Sequence, residues 1–544
     1  MNSELGSYDA IVVGSGVNGL ACAALLAQGG RNVCVLERCD WFGGAIKTAE
    51  ITKPGFHHDV FSAWHPLWVG GPAHARLGDE LARHGLEYLN TEHPTATLYP
   101  DGEAAFLLRT ADANAAELER LQEGDGVAWR TMLDAFFPNA DLAFGVLGTE
   151  LWSRHGAALA LRAYRRLGRQ GAAQFGAGLL ISARDWLTQT FASERAHGLL
   201  APWVLHTGLG PDAAASGYMA AVIAVAVQEG GMPVPRGGGA RLADALVAFI
   251  RGQGGTCEAE AEVTHVITRD GRAAGGELRN GDVLRAPIVV CNVTPTQLYG
   301  CLLGNVPPTL SEEARRFRYG RSEMQIHFAL SEPPAWDGDE RLAQTAIVHL
   351  TPGLDGVSRA VNEAERGLLP AEATVVVGQP LTMDPSRAPA GAGLLWIQLQ
   401  ELPWRVKGDA AGEIDVGDGT WTGALRERYA DRVQARLARH IPNLERALLG
   451  RTVLSPADLE AANINLVHGD PYGGSLALDQ NFIWRPLGGA MGHRTFVEGV
   501  WHVGASTHPG PGLGAGSGTI VADAILEPTA PKRLATKLVG LARR

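Results

Sequence analysis

The residues best suited to chemistry near the start of the chain are Gly14-Ser15-Gly16-Val17-Asn18-Gly19, followed 18 positions after Gly19 by Glu37. Glycines at this spacing answer three demands of a dinucleotide: Gly14 turns the chain sharply, Gly16 lets the backbone approach a pyrophosphate, and Gly19 lets a helix pack closely on a strand. Ser15, Val17 and Asn18 share the turn and are taken as cofactor-binding with it. The phosphates then rest on free N–H groups at the helix start. Glu37 is spaced to accept hydrogen bonds from an adenosine ribose. A second glycine-rich turn lies near the other end, Gly504-Ala505-Ser506-Thr507-His508-Pro509-Gly510-Pro511-Gly512-Leu513-Gly514-Ala515-Gly516.

Each turn needs elements to aim it. The apolar runs Ala10–Val13 and Val33–Leu36 flank an Ala/Leu-rich segment reaching Gln28, and this reads as strand, turn, helix, strand. Near the C terminus a strand over Val500–Val503 stops at Gly504, and a helix starts near Gly516 and runs to Leu526. That second helix start can meet the same cofactor from the side opposite Gly14. Gly516 is no second fingerprint, because no strand, helix, strand and acid surround it.

The totals narrow the rest. A chain of 544 residues exceeds one ordinary core, so two or three domains are expected. The composition, 46% apolar and 19% charged with 69 Gly, is that of a globular protein, and the net charge of −11 argues against nucleic acid as a partner. Six Cys without a CxxC, and no signal peptide before the first strand, point to a cytoplasmic location. No apolar run reaches the ~20 residues of a membrane span, and Ala213–Val227 reads as a buried helix. Leu151–Leu187 mixes Arg162, Arg165, Arg166 and Arg169 with Leu, Ala, Trp152 and Phe175. A solvated helix face is the favoured reading there, and peripheral membrane contact is the alternative. His57, His58 and His65 invite a metal reading, but no second ligand cluster has suitable spacing, so no metal is assigned.

After Glu37 come Arg38-Cys39-Asp40-Trp41-Phe42-Gly43-Gly44-Ala45, whose glycine pair lets the backbone pass close to a bound nucleotide. Asp112 to Leu205 has apolar residues at helical spacing and no chemistry-bearing motif, as in an inserted cap from about Pro72 to Gly230. Gly230-Gly231-Met232-Pro233-Val234-Pro235-Arg236-Gly237-Gly238-Gly239 stops one helix and starts another at about Ala240. Ala261–Asp270 and Glu277–Val290 alternate as strands with turns at Asp270-Gly271 and Asn280-Gly281, leading to Cys291-Asn292. Beyond Pro295, Met324–Leu330, Thr374–Val377 and Leu394–Leu399 read as strands and Leu425–His440 as a helix. A mixed sheet floored by those strands suits a substrate domain.

The acid, basic residue and Gly-Gly after the first turn resemble the extended nucleotide motif of the FAD-dependent oxidoreductases that include amine oxidases and phytoene desaturases. Ala45 stands where many members have Arg. The G-G-x-x-x-P-R-G-G segment, LDQ at 478–480 with Arg485-Pro486, and the Gly504–Gly516 turn resemble the phytoene desaturase-related branch, with its carotenoid isomerases, retinol saturases and pyridine-nucleotide-disulfide-oxidoreductase-domain relatives. The resemblance covers the first ~60 residues, 230–292 and 460–526. It implies an α/β fold: a Rossmann-like FAD-binding domain, glutathione-reductase-like or amine-oxidase-like, from 1–72, 230–295 and 480–544, and a mixed-sheet plus helical substrate or cap domain from 73–229 and 296–479. It implies FAD, held also by Arg38, Gly43, Gly44, Ala45, Val263 and Asn292. Gly504, Ala505, His508, Pro509, Gly510, Gly512, Leu513 and Gly516 complete that set.

The implied reaction removes hydride from a C–H of an apolar polyene, isoprenoid or lipid-like substrate to flavin N5; the electron acceptor is left open, with oxygen and quinone as candidates. His508, in the turn expected beside the isoalloxazine, is the one catalytic candidate, as proton acceptor or ring-positioning group; holding the Pro509 turn is its structural alternative. A flavin-dependent isomerase or saturase uses the same scaffold, and a flavin-stabilised binding protein is the non-catalytic alternative. An amine-oxidase-like enzyme is disfavoured because no Lys occurs between Lys53 and Lys407. Disulfide oxidoreductase chemistry is rejected because Cys34 and Cys39 precede the glycine pair.

Overall fold

The structure is a computed structural model that describes residues 4–527. The expected domain segment 480–544 therefore ends, in part, outside the described residues, as do residues 1–3. The first apolar runs form parallel strands at the centre of a five-stranded sheet ordered 256–258, 33–36, 10–13, 289–292, 500–503. All its pairings are parallel, so each connection must cross over, and the glycine turns fall at the strands' carboxyl ends, where open parallel sheets bind ligands. The helix Val17–Gln28 is buried from Val17 to Ala27, wedged between the sheet and the helices Ala240–Gly252 and Gly516–Leu526. Its small residues permit this: a Cβ on Gly518 would collide with the Asn18 carbonyl, and the Gly518 N–H donates to Asn18 Oδ1 at 3.2 Å.

The run Glu277–Val290, expected with a turn at Asn280-Gly281, breaks a second time after Arg285. Val263–Arg269, Arg272–Leu278 and Val283–Arg285 form an antiparallel meander, and Val289–Asn292 departs into the parallel sheet. Gly281, with φ +89°, makes the turn that splits the first part of that run.

A second, seven-stranded sheet is ordered 448–454, 322–330, 393–402, 375–378, 347–350, 95–98, 104–107. Its pairings are antiparallel except that of 347–350 with 95–98. The segment expected as a helical insertion thus contributes Thr95–Leu98 and Ala104–Leu107 to this sheet, between the helix Pro72–Arg83 and the helices that follow from Ala111. One face of this sheet, with Ile326, Phe328, Leu395 and Ile397, packs on the helix Gly423–Ala438 through Leu425, Tyr429 and Val433. The cap helices from Ala111 to Gly230 cover part of the other face, anchored by Trp129, Leu187, Trp203 and Val225. Among the described residues no helix is long and apolar enough to cross a membrane.

Candidate functional site

A cavity of about 1230 Å³ runs from the carboxyl ends of the parallel strands to the polar face of the seven-stranded sheet. Single small-molecule sites rarely exceed ~1,000 Å³, so the space suits an elongated cofactor with a second molecule beside it.

The structure brings the two glycine turns to one end of this cavity. Gly14, Gly16, Val17, Asn18, Glu37 and Arg38 line it, as do Gly43, Gly44 and Ala45. So do Val263, Asn292, Gly504, Ala505, Pro509, Gly510, Gly512, Leu513 and Gly516. Three positions named with them do not: Ser15, Gly19 and His508 lie behind the wall.

Asn292 explains why the cradle consists of glycine. A Cβ on Gly16 would lie 2.6 Å from Asn292 Nδ2, one on Gly14 2.9 Å from the Asn292 carbonyl oxygen, and one on Gly504 2.8 Å from Asn292 Oδ1. A Cβ on Gly19 would collide with the Gly14 carbonyl. One asparagine at the end of a central strand thus packs against both turns, and every added carbon would push backbone away from it.

Ser15 and Glu37 tie the cradle together. Glu37 Oε2 accepts from the Ser15 N–H at 2.9 Å and the Ser15 hydroxyl at 2.7 Å, and Oε1 accepts from the Cys39 N–H at 2.9 Å. A carboxylate offers about four lone-pair positions, so one remains for a ribose hydroxyl. Gly43 donates its N–H to the Ser15 carbonyl at 3.1 Å, and a Cβ on Gly44 would approach Gly16 Cα to 3.0 Å. The glycine pair is therefore required first by backbone packing on the turn itself. At the outer end Arg38 lies 3.8 Å and Arg279 2.6 Å from Glu262. Glu262 and Arg279 line the cavity, and no motif had pointed to them.

The C-terminal turn is fixed from behind. Ser517 Oγ accepts from the Gly504 N–H at 3.1 Å and hydrogen-bonds Thr507 Oγ1 at 2.7 Å. Arg485, fully buried, donates to the carbonyls of Ala505 at 2.7 Å and Tyr472 at 2.9 Å. Asp479 of the LDQ segment pairs with Arg318 at 2.8 Å. These motif residues therefore brace loops.

His508 departs from the expected place beside the reacting centre. It is buried, its Nε2 donates to the Val146 carbonyl at 2.9 Å, and its own carbonyl accepts from His493 Nε2 at 2.9 Å. Burial, reinforced by the neighbouring His493, pulls its imidazole down to about 4. The ring is directed at the helix Ala140–Gly148, which carries that carbonyl. The other histidines singled out are scattered: His58 bonds Thr52 at 2.7 Å, His65 bonds Tyr88 at 3.0 Å, and His57 lies 3.7 Å from Glu50. Asp59 of the same segment forms a buried pair with Arg387 at 2.8 Å and accepts from the Gly239 N–H at 2.8 Å. Its work is to hold the glycine-rich 237–239 loop.

The far end of the cavity was not legible as a site. Its walls include Trp64, Trp203, Trp396, Val222, Ile223 and Met232, and its floor carries Glu323, Gln325, Gln398 and Gln400. His206 is also there, 3.2 Å from His349 Nε2, and burial pulls it down to about 4.

The cradle fits FAD: its glycines line the cavity with bare backbone, one acceptor position of Glu37 is uncommitted, and the cavity runs on past the cradle to the seven-stranded sheet. Comparisons with known proteins agree. Residues 12–81 match the model of an NAD(P)-binding Rossmann-like domain. The chain is 26% identical to rat pyridine nucleotide-disulfide oxidoreductase domain-containing protein 2, over 94% of this chain and 92% of that protein. It is also 26% identical to the lycopene-forming phytoene desaturase of a Paracoccus species, over 93% of this chain and 94% of that protein. A solved oxidoreductase from Methanosarcina mazei shares the fold, with a TM-score of 0.60 and 14% identity over 96% of this chain and 100% of that one. The chain is an FAD-dependent oxidoreductase and is similar over nearly its full length to phytoene desaturases.

Proposed function

We propose that this protein is a desaturase- or dehydrogenase-type enzyme that removes hydride from a C–H bond of an apolar, isoprenoid or lipid-like substrate. One observation carries the reading: a single cavity joins the glycine cradle to a chamber walled by Trp64, Trp203, Trp396, Val222 and Ile223. The full-length likeness to phytoene desaturases supports it. FAD, held by the cradle residues named above, supplies the hydride-accepting chemistry when bound. The protein's own part is to orient the C–H bond between apolar walls and exclude water. The discontinuous division into 1–72, 230–295 and 480–544 against 73–229 and 296–479 is part of this proposal, with the cap segments supplying the chamber. The test is anaerobic reduction of the purified flavoprotein by polyene substrates, followed by reoxidation with oxygen or a quinone. Bleaching of the flavin band with formation of a new C=C bond is expected; a double-bond shift without net redox would favour the isomerase reading.

The chamber's opening suggests how such a substrate arrives. Leu67, Phe137 and Phe144 line the cavity and are also 45%, 47% and 44% exposed, so its rim is apolar. Nearby Arg154–Gly178 carries Arg154, Arg162, Arg165, Arg166 and Arg169 without an Asp or Glu, and exposes Leu161 and Tyr164. Peripheral contact with an anionic membrane is the partner reading this supports. Co-sedimentation with phosphatidylglycerol vesicles, reduced by Phe144→Ser with Arg165→Glu, is the expected outcome.

A further inference from the structure

The helix Ala140–Gly148 carries one side of the cavity's rim: Phe144, Leu147 and Gly148 line the cavity there, and Pro509 and Gly510 line it on the C-terminal turn. Two ties cross from this helix and its exit to that turn. One is the bond from the His508 ring to the Val146 carbonyl, which carries no charge at neutral pH because burial pulls that imidazole down to about 4. The other runs through His493, which is 2% exposed. Glu150, just beyond the helix, meets His493 Nδ1 through its Oε2, and His493 Nε2 meets the His508 carbonyl at 2.9 Å. Gly492 makes room for the carboxylate, since a Cβ there would lie 2.8 Å from Glu150 Oε2.

Both partners of the His493 ring are acceptors. A carbonyl oxygen and an ionised carboxylate offer lone pairs only, whereas a neutral imidazole has a single N–H. A neutral His493 beside an ionised Glu150 would therefore turn a ring lone pair on one oxygen or the other, whichever tautomer it took, and burial makes such an unmade bond costly. Both contacts are satisfied only when the pair holds one further proton, on Nδ1 or on the carboxyl. Burial works against the charge of Glu150, yet its bond to His493 outweighs this and holds the carboxyl below its ordinary range.

Resting on the placement of FAD in this cavity, we propose that Glu150 and His493 are positioning residues that share one proton, and that this proton clamps the rim helix to the Pro509–Gly510 wall. Its loss to solvent sets lone pair against lone pair, loosens the helix and opens that side of the cavity. The other ionisable groups around His493 do not supply this behaviour. His502, on the strand Val500–Val503, is pulled down to about 4 by burial, as His508 is, so both stay neutral as the pH rises. Burial pulls Arg485, held on loop carbonyls, down only to about 10, and Arg494 lies exposed over the Trp501 ring.

The test is the rate at which the holoprotein releases FAD on dilution, followed by the rise in flavin fluorescence, which requires neither substrate nor turnover. Wild type should release FAD about tenfold faster at pH 9 than at pH 6, as loss of a hydrogen bond to a charged group implies. Glu150→Gln supplies an amide N–H that can donate to Nδ1 of a neutral His493, so its rate should change by less than about twofold over the same range. Glu150→Leu, at a partly exposed position, should release FAD about tenfold faster than wild type at pH 6 and ignore pH, with the flavin content of the purified protein reporting that it has folded. A wild-type rate that is level with pH overturns the proposal. A pH-driven rise that persists in Glu150→Gln puts the ionisation elsewhere and also overturns it, as does Glu150→Leu matching wild type at pH 6. A wild-type protein without flavin overturns the placement of FAD and this proposal with it.

Discussion

The two ends of the cavity are built on opposite plans. At the cradle, selectivity lies in what is missing: Gly14, Gly16, Gly43, Gly44 and Gly504 bring bare backbone together, and the side chains that matter, Ser15 and Asn292, serve mainly to hold backbone in place. At the floor, side chains on two adjacent strands face inward and the backbone is fully occupied in the sheet ladder. A backbone cradle recognises a ligand common to many proteins, whereas a side-chain floor can be changed one residue at a time. The first therefore fixes the cofactor, and the second sets what is oxidised.

The comparison breaks most directly at the cradle. Gly14→Val places carbon against the Asn292 carbonyl at a residue with φ +89°, so purified protein should retain less than about a tenth of the wild-type flavin. Normal flavin absorbance in that variant would remove the cradle's role. Glu37→Arg should weaken FAD binding about 10- to 100-fold by equilibrium dialysis, the range for hydrogen bonds to a charged group.

At the floor the expected signature is pH dependence of stability. Folding lifts Glu323 from its ordinary 4.5 to about 8, so between those values the folded state holds a proton that the unfolded chain releases. Stability is then complete below about 4.5 and lost as pH rises toward 8. Glu323→Gln should remove that slope and stabilise the protein at pH 8 by on the order of 2 kcal/mol, read from urea unfolding at several pH values. A pH-independent wild type would show that the carboxyl is not isolated as described. The smallest effect is expected for His508→Ala, which removes one buried bond to the Val146 carbonyl. It should cost about 1–2 kcal/mol and lower Tm by a few degrees, while flavin content and the single-turnover rate stay within about twofold. A tenfold slower turnover would return His508 to the chemistry.

How much was legible in the sequence follows the same division. Backbone cradles leave local marks, because glycine is demanded at fixed spacing, and both turns could be read before any contact was known. Their convergence through Asn292 could be expected from family resemblance alone, since nothing local says that a residue after one strand touches loops at both ends of the chain. His508 was misplaced for a related reason: sequence positions a residue along a turn but does not say which way its ring faces. Glu262 and Arg279 are ordinary charges until the meander brings them to the cavity. The floor did leave a signal, the alternation of EMQIHF at 323–328 and of IQLQ at 397–400 in strands whose position implied burial on both sides. Reading it required knowing that a helix covers one face and the cap the other.

The bond between the Gly518 N–H and Asn18 spans nearly the entire chain. During synthesis, the first turn emerges 500 residues before the glycine that closes its second wall. The nascent protein therefore carries an unfinished cofactor pocket until the second turn has been made, and only then can loading be completed. A stop codon shortly before Gly504 would leave an otherwise long polypeptide that cannot close around its prosthetic group.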